Sequence, residues 1–279
     1  MGFHLNACHV NHGISPQAGE WQAFCRNFCD QLGVPLSIMP VDVPRATPEG
    51  LEAAARAKRY AAFGGVTADW ILLGQHRDDQ AETMLFNLLR GAGLLGASGM
   101  PETRTVRPGL SLLRPLLDVD RKDIDAYLHR HALAWMEDES NANTGFSRNF
   151  MRHQVMPLLQ SRFPAAVRSL AAAAGRFAEA KMLLDELALL DLDGLPAQFP
   201  LPIAALVNLP EARGRNLLRF LLTRHAVGIP SEQRLIEALR QLLEAGADRH
   251  PLIVFGDWKL VRRSSSVYLD LCQSAEHCQ

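Results

Sequence analysis

The sequence predicts an α/β protein: a parallel sheet with helices on both faces, followed by a smaller domain of helical and α+β character. Three observations predict it. Strand-like and helix-like stretches alternate through the first third of the chain. The composition changes after LDGLPAQFPLP. An acid-rich stretch, LLGQHRDDQAET, directly follows the apolar run TADWILLG, at the kind of strand end where sheets of this class bind ligands.

Leu5–Val10 reads as a strand, Ala18–Leu32 as an amphipathic helix and Pro35–Val41 as a second strand, with Gly33 and Pro35 punctuating the junction. Thr47-Pro-Glu-Gly leads into a helix over Leu51–Phe63. Trp70–Leu73 is a short, fully apolar strand, and Asp79–Leu89 returns to helical spacing. This β-α-β order requires crossover connections and hence parallel strands. A Leu-rich strand follows near Leu112, with Asp118 or Asp120 as the cap of a helix running to about His131. Trp135–Asn141 is a polar loop, a helix begins near Ser147, and residues 165–190 suit a long Ala- and Leu-rich helix. Beyond it come helices at Glu211–Arg224 and Ser231–Leu243, then the β-like segments LIVF, WKLVRR and VYLDL. The expected organisation is residues 1–163 as the first domain, 164–195 as a helical linker and 196–279 as the second domain.

A chain of 279 residues has room for two domains, each able to bury its own core. Hydrophobic residues at 48% and charged residues at 21% argue against extended disorder. A net charge of −1 selects no class of partner. No apolar run reaches the roughly 20 residues of a membrane span, and MGFHLNACHV lacks the pattern of a signal peptide, so a cytoplasmic protein without a membrane partner is expected. Cys8, Cys25, Cys29, Cys272 and Cys278 show no paired disulfide spacing, so reduced thiols are the expectation. Cys25 and Cys29, four apart on a helix, could bind zinc with His9 or His12, but buried apolar cysteines are the more ordinary reading.

Three polar clusters carry the candidate chemistry. In the first, Asp78, Asp79 and Glu82 crowd the start of a helix, with Asp79 and Glu82 three apart and therefore on one face. Two carboxylates a few Å apart repel by about 4 kcal/mol at an effective dielectric near 20, so a cation is the usual remedy. Mg²⁺ with a nucleotide, a substrate ammonium group and a neighbouring arginine each qualify; a helix N-terminus by itself also favours acids. In the second cluster, Arg56 and Arg59 share a helical edge with Glu52 and could grip phosphate oxygens, unless Arg56 merely pairs with Glu52 on the surface. In the third, Arg148 and Arg152 repeat the four-residue spacing after EDESNANTGF. Residues 201–263 hold ten Lys or Arg against six Asp or Glu, a mild surplus that suits either a solvated surface or RNA. Gly91-Ala-Gly-Leu-Leu-Gly96 fits the GxGxxG dinucleotide fingerprint by letter only, because it follows a helix instead of a strand.

Taken in order, HVNHGIS, LEAAARAKRYAAF, LLGQHRDDQAET, LRPLL and EDESN with SRNFMR strongly resemble the tRNA(Ile)-lysidine synthetase family of the PP-loop ATP-pyrophosphatase group. The resemblance is close over residues 5–160 and extends through the later domain to about residue 270. It implies an ATP- and Mg²⁺-dependent ligase that adenylates the C2 carbonyl oxygen of the wobble cytidine of an isoleucine tRNA with a CAU anticodon. Free L-lysine then displaces AMP to form lysidine. It further implies that Asp79 and Glu82 handle lysine, with Asp78 and Asp79 at Mg²⁺. His9, His12, Arg56, Arg59 and His76 would bind ATP, and Arg148 and Arg152 would act with Asp79 and Glu82 in catalysis. Arg213 and Arg215 are the expected tRNA contacts of the second domain. The family's SGGxDS phosphate loop does not occur before Leu5, so the expectation is a domain lacking its first strand and helix, whose activity as it stands is doubtful. A further C-terminal domain is a second expected loss. The alternatives are a remnant that only docks tRNA, and another PP-loop enzyme such as a tRNA thiolase, which usually needs a CxxC pair. Oligomeric state, a homodimer included, stays open.

Overall fold

The computed structural model describes residues 2–47, 50–245 and 251–272. It divides into two compact units, residues 1–178 and 179–279.

The first unit opens with the expected alternation. β1 (Ala7–Asn11) and β2 (Leu36–Pro40) pair in parallel across α1 (Ala18–Leu32). Gly33 ends α1 in the left-handed conformation, φ 64°, with its N–H returned to the last turn. After α2 (Leu51–Gly64) comes β3 (Trp70–Leu72), whose parallel partner is β5 (Leu110–Leu113). Between them run α3 (Arg77–Leu89), the short α4 (Leu94–Ala97) and β4 (Thr103–Arg107). The parallel α/β core thus matches the sequence expectation, drawn as two hydrogen-bonded groups, β1-β2 and β3-β5-β4, among the described residues.

β4 is the element the sequence hid. It forms an antiparallel hairpin with β5, turning at Gly109 (φ 79°), and four of its five residues are exposed. An edge strand with one solvated face and two arginines leaves no apolar alternation to read. The run Gly91–Gly96 ends α3 and enters α4 with no strand before it, in keeping with its rejection as a dinucleotide loop.

α5 (Arg121–Arg130) follows β5, and Asp120 is its N-cap residue. The expected side-chain cap is absent, because the Asp120 carboxylate is taken by Arg77 from α3 and by Arg168. From Ser147 the chain is helical for sixteen residues, as α6 (Ser147–Phe150), a π-helical turn (Met151–Val155) and α7 (Met156–Arg162). α8 (Ala166–Asp191) is the predicted long helix.

In the second unit β6 (Leu201–Pro202), β7 (Leu252–Phe255), β8 (Trp258–Arg263) and β9 (Ser266–Leu271) form an antiparallel sheet in the order β6-β9-β8-β7. With the short α9 (Ala204–Val207), α10 (Glu211–Arg224) and α11 (Glu232–Glu244) they enclose a core of Leu201, Leu217, Leu221, Leu235, Leu239 and Leu260, all essentially inaccessible. Each fully buried leucine of this kind contributes about 2 kcal/mol of transfer free energy. Gly214 on α10 permits the approach of α11, since a Cβ there would stand 3.0 Å from Leu239 Cδ2. No helix among the described residues is long and apolar enough to cross a membrane.

Candidate active site

The loops at the carboxyl ends of β1 and β3 bound a cavity of about 600 Å³ within the first unit. His9, Asn11 and His12 enter from β1 and the loop after it, Arg56 and Arg59 from α2, and Gln75 and Asp79 from the β3–α3 junction. Glu139 and Asn141 close another side, and Arg148 and Arg152 come from the helical stretch beyond. The volume is that of a small-molecule site, at the place where open parallel sheets bind ligands. Three clusters spread over nearly a hundred residues of sequence, Arg56 to Arg152, therefore face one space.

α3 sets the acidic wall. His76 is its N-cap, and Asp79, three residues on, returns Oδ2 to the His76 backbone N–H at 3.0 Å. That bond aims the other oxygen outward, where Oδ1 accepts from Arg152 Nη2 at 2.7 Å and Arg148 Nη2 at 3.4 Å. Glu82, one turn along and only 4% exposed, takes Arg152 through two parallel bonds of 2.9 Å. The repulsion between Asp79 and Glu82 is thus relieved by arginine, one of the three cations the spacing allowed.

The opposite wall carries positive charge not spent on carboxylates. Arg56 Nη2 donates to Tyr60 OH at 3.2 Å, and its guanidinium lies 4.9 Å from that ring's centroid, so it pairs with Tyr60 instead of Glu52. Arg59 Nε donates to His12 Nε2 at 3.3 Å. That bond leaves His12 its proton on Nδ1, which is buried without a partner, as is the indole N–H of Trp21. Both residues line the cavity, so two orphaned N–H donors mark where an acceptor-rich ligand fits.

The family model described as a PP-loop domain matches residues 1–159, more than half of the chain. The chain belongs to the PP-loop family. Residues 201–268 match a second model, described as the TilS substrate binding domain. Curated relatives include the tRNA(Ile)-lysidine synthase of Nitrosomonas europaea, 45% identical over 90% of this chain and 55% of the relative. The synthase of Azoarcus sp. is 46% identical over 90% of this chain and 56% of its own length. That of Pseudomonas fluorescens is 45% identical over 95% and 61%. The chain therefore spans a little over half the length of these relatives. Among solved structures, the U34-tRNA thiolase NcsA of Methanococcus maripaludis superposes with a TM-score of 0.53 at 16% identity, covering 63% of this chain and 62% of the thiolase, a likeness of fold.

Within the PP-loop domain, burial and then the Arg59 charge hold His12 below the usual imidazole range, and burial does the same to His9. Both imidazoles are therefore neutral at pH 7. Burial, followed by the neighbouring Arg56, lowers Arg59, which nonetheless stays cationic. For Arg152 burial acts in the opposite direction to its partners, and the Glu82 and Asp79 carboxylates prevail, raising its pKa.

The sequence-selected residues divide. His9, His12, Arg56, Arg59, Asp79, Arg148 and Arg152 line the cavity. His76, Asp78 and Glu82 do not. His76, expected at ATP, caps α3 with Nε2 3.4 Å from Asp79 Oδ2. Asp78, expected at Mg²⁺, accepts the Arg121 backbone N–H at 3.1 Å and so fastens the start of α5 to α3. Its pKa is lowered first by the His76 imidazole and also by that backbone bond. Glu82 acts from behind, through Arg152. Arg213 and Arg215, expected at tRNA, are committed to carboxylates of the second unit: Arg213 to Asp191, and Arg215 to Glu211 and Glu232. Gln75, Trp21 and Tyr60 were not among the expected site residues; for Tyr60 the available signal was an aromatic directly after Arg59. The zinc alternative at Cys25 reduces to one contact, Sγ to His9 Nδ1 at 3.6 Å, and no metal-binding cluster of His, Cys, Asp and Glu occurs among the described residues.

Proposed function

We propose that the chain carries the ATP- and lysine-handling part of a tRNA(Ile)-lysidine synthase, a cytoplasmic enzyme that joins L-lysine to C2 of the wobble cytidine of isoleucine tRNA with a CAU anticodon. In that reaction the C2 oxygen attacks the α-phosphorus of ATP and diphosphate leaves. The lysine amine then attacks C2, loses a proton, and AMP departs. The observation that carries the reading is the pairing, inside one cavity, of an arginine-lined wall, Arg56, Arg59 and Arg148, with the Asp79 carboxylate. The names of the curated relatives and the match to the TilS substrate binding domain support the substrate assignment.

The residues fit ATP. Arg56 and Arg59 offer guanidinium groups free of carboxylate partners to phosphate oxygens, and the N–H groups of Trp21 and His12 offer donors. A neutral His12 can donate from Nδ1 without adding charge. Asp79 offers the acceptor for an ammonium group, in the place where it now holds two guanidiniums. Arg148, whose contacts with Asp79 at 3.4 Å and Glu82 at 3.8 Å are both longer than those of Arg152, is the one that gives up least by turning toward a developing oxyanion. The residues do not fit a protein-built Mg²⁺ site: Asp79 and Glu82 are engaged by Arg152 and Asp78 by Arg121, so no step is routed through the metal. Magnesium would arrive with the nucleotide's own phosphates.

Calorimetric titration with ATP and with L-lysine tests this. Arg56→Ala and Arg59→Ala should each weaken ATP by about tenfold, the loss of a charge-assisted contact, and leave lysine unaffected. Asp79→Asn keeps an acceptor for the His76 N–H, so the domain should stay folded while lysine binding weakens by a similar factor. Unchanged lysine affinity in folded Asp79→Asn rules out the assignment.

A further inference from the structure

Arg114 is the least exposed charged residue among the described residues, at 2%, yet none of its side-chain partners bears a negative charge. Its Nε donates to Gln75 Oε1, Nη1 donates to Pro101 O at 2.6 Å, and Nη2 donates to Tyr60 OH at 3.2 Å. A buried guanidinium satisfied only by neutral acceptors has its hydrogen bonds but not its counter-charge, an unfavourable arrangement for stability alone. The neighbours explain what it does. Gln75 lines the cavity, and Tyr60 holds Arg56, which also lines it.

We infer that Arg114 is a positioning residue that sets the donor groups of the cavity wall, turning the Gln75 amide N–H₂ toward the ligand and fixing Arg56 through Tyr60. The chemistry follows from donor inventories. Arginine Nε can only donate, so the Gln75 atom facing it is the carbonyl oxygen, and the amide N–H₂ is what Gln75 has left to offer the cavity. The Tyr60 oxygen accepts from Arg114 Nη2 and from Arg56 Nη2, each at 3.2 Å, so both of its lone pairs are used and its own proton points elsewhere. Arg56 is thereby held over the Tyr60 ring from a fixed anchor. One buried side chain thus orients two cavity donors, and its uncompensated charge favours an anionic ligand beside them. The ligand class is an anion rich in phosphate oxygens, an assignment that rests on the nucleotide reading above.

Two variants test it, with ATP as the probe and thermal melting alongside. Gln75→Glu gives Arg114 a counter-charge but removes the amide donor. Its melting temperature should equal or exceed that of the parent chain, while ATP affinity falls about tenfold or more. Arg114→Lys keeps the charge but loses the planar fork that reaches three acceptors. Titrated well below its own melting temperature, it should also lose about tenfold in ATP affinity. Parental ATP affinity in either variant, or a lower melting temperature for Gln75→Glu, overturns the inference. A parent chain that binds no ATP ends the nucleotide reading separately, and the Gln75→Glu melting comparison still decides whether Arg114 lacks a counter-charge.

Discussion

Arg152 meets Glu82 across seventy residues of sequence through two parallel bonds, Nε to Oε1 and Nη2 to Oε2, both 2.9 Å long. The contact is planar and bidentate, and it joins the π-helical turn to α3. Removing one partner strands the other charge where water scarcely reaches. Arg152→Met should therefore destabilise the first unit by about 3 kcal/mol, read from the midpoint of chemical denaturation. Arg152→Lys, which keeps the charge but not the fork, should lose less. Equal stability of Arg152→Met and the parent would mean that this pair does not hold the two segments together.

Asp120 predicts the acid limb of stability. Hydrogen bonds from Arg168 first, and then from Arg77, hold its carboxyl below the ordinary aspartate range. A depressed folded-state pKa contributes stability that is complete above the unfolded value near 3.9 and is lost as pH falls through the folded value. The melting temperature should therefore drop steeply below about pH 4, and Asp120→Asn should flatten that drop while lowering stability at neutral pH. A parallel pH profile in the variant would remove Asp120 from the account.

Arg213 predicts a structural defect before any effect on RNA. Its partner Asp191 has a side chain with no solvent exposure, so losing the guanidinium leaves a buried carboxylate unpaired. Arg213→Glu should lower the stability of the second unit, measured by thermal melting, by more than a change at Arg215 does. Arg215→Gln, whose partners Glu211 and Glu232 are exposed, should cost under about 1 kcal/mol.

Gly99 predicts a loop defect next to the site. It sits at φ +65°, and an added Cβ would meet the Gln80 carboxamide at 2.7 Å. That carboxamide is fixed by two bonds to Met100, 2.7 Å from its N–H and 3.0 Å to its carbonyl, so it cannot move aside without breaking them. Gly99→Ala should destabilise by about 1–3 kcal/mol, and Gln80→Ala should relieve part of that cost in a double-mutant cycle.

The alternation of strands and helices and the long helix were legible because periodicity and punctuation are local properties of the chain. So was the selection of Arg56, Asp79 and Arg148, since unusual density of charge is visible without coordinates. The roles within that selection were less legible. Asp78, Asp79 and Glu82 look alike in one dimension, yet Asp79 faces the cavity, Asp78 braces α5 and Glu82 holds Arg152 from behind. The side chain's direction from a helix is a matter of phase, but its partner is chosen by whatever the fold brings opposite.

Arg114 shows the same limit more sharply. In LRPLL it is an arginine between a leucine and a proline, and nothing in the string indicates that it is buried against Gln75 and Tyr60, thirty-nine and fifty-four residues away. By itself the sequence determined the α/β elements, their order and the charged residues available for chemistry, because those depend on neighbours along the chain. Only the tertiary structure decided which charges neutralise one another and which are left to face a ligand, because Coulombic and hydrogen-bond partners are set by distances of a few ångströms between segments that share no local pattern.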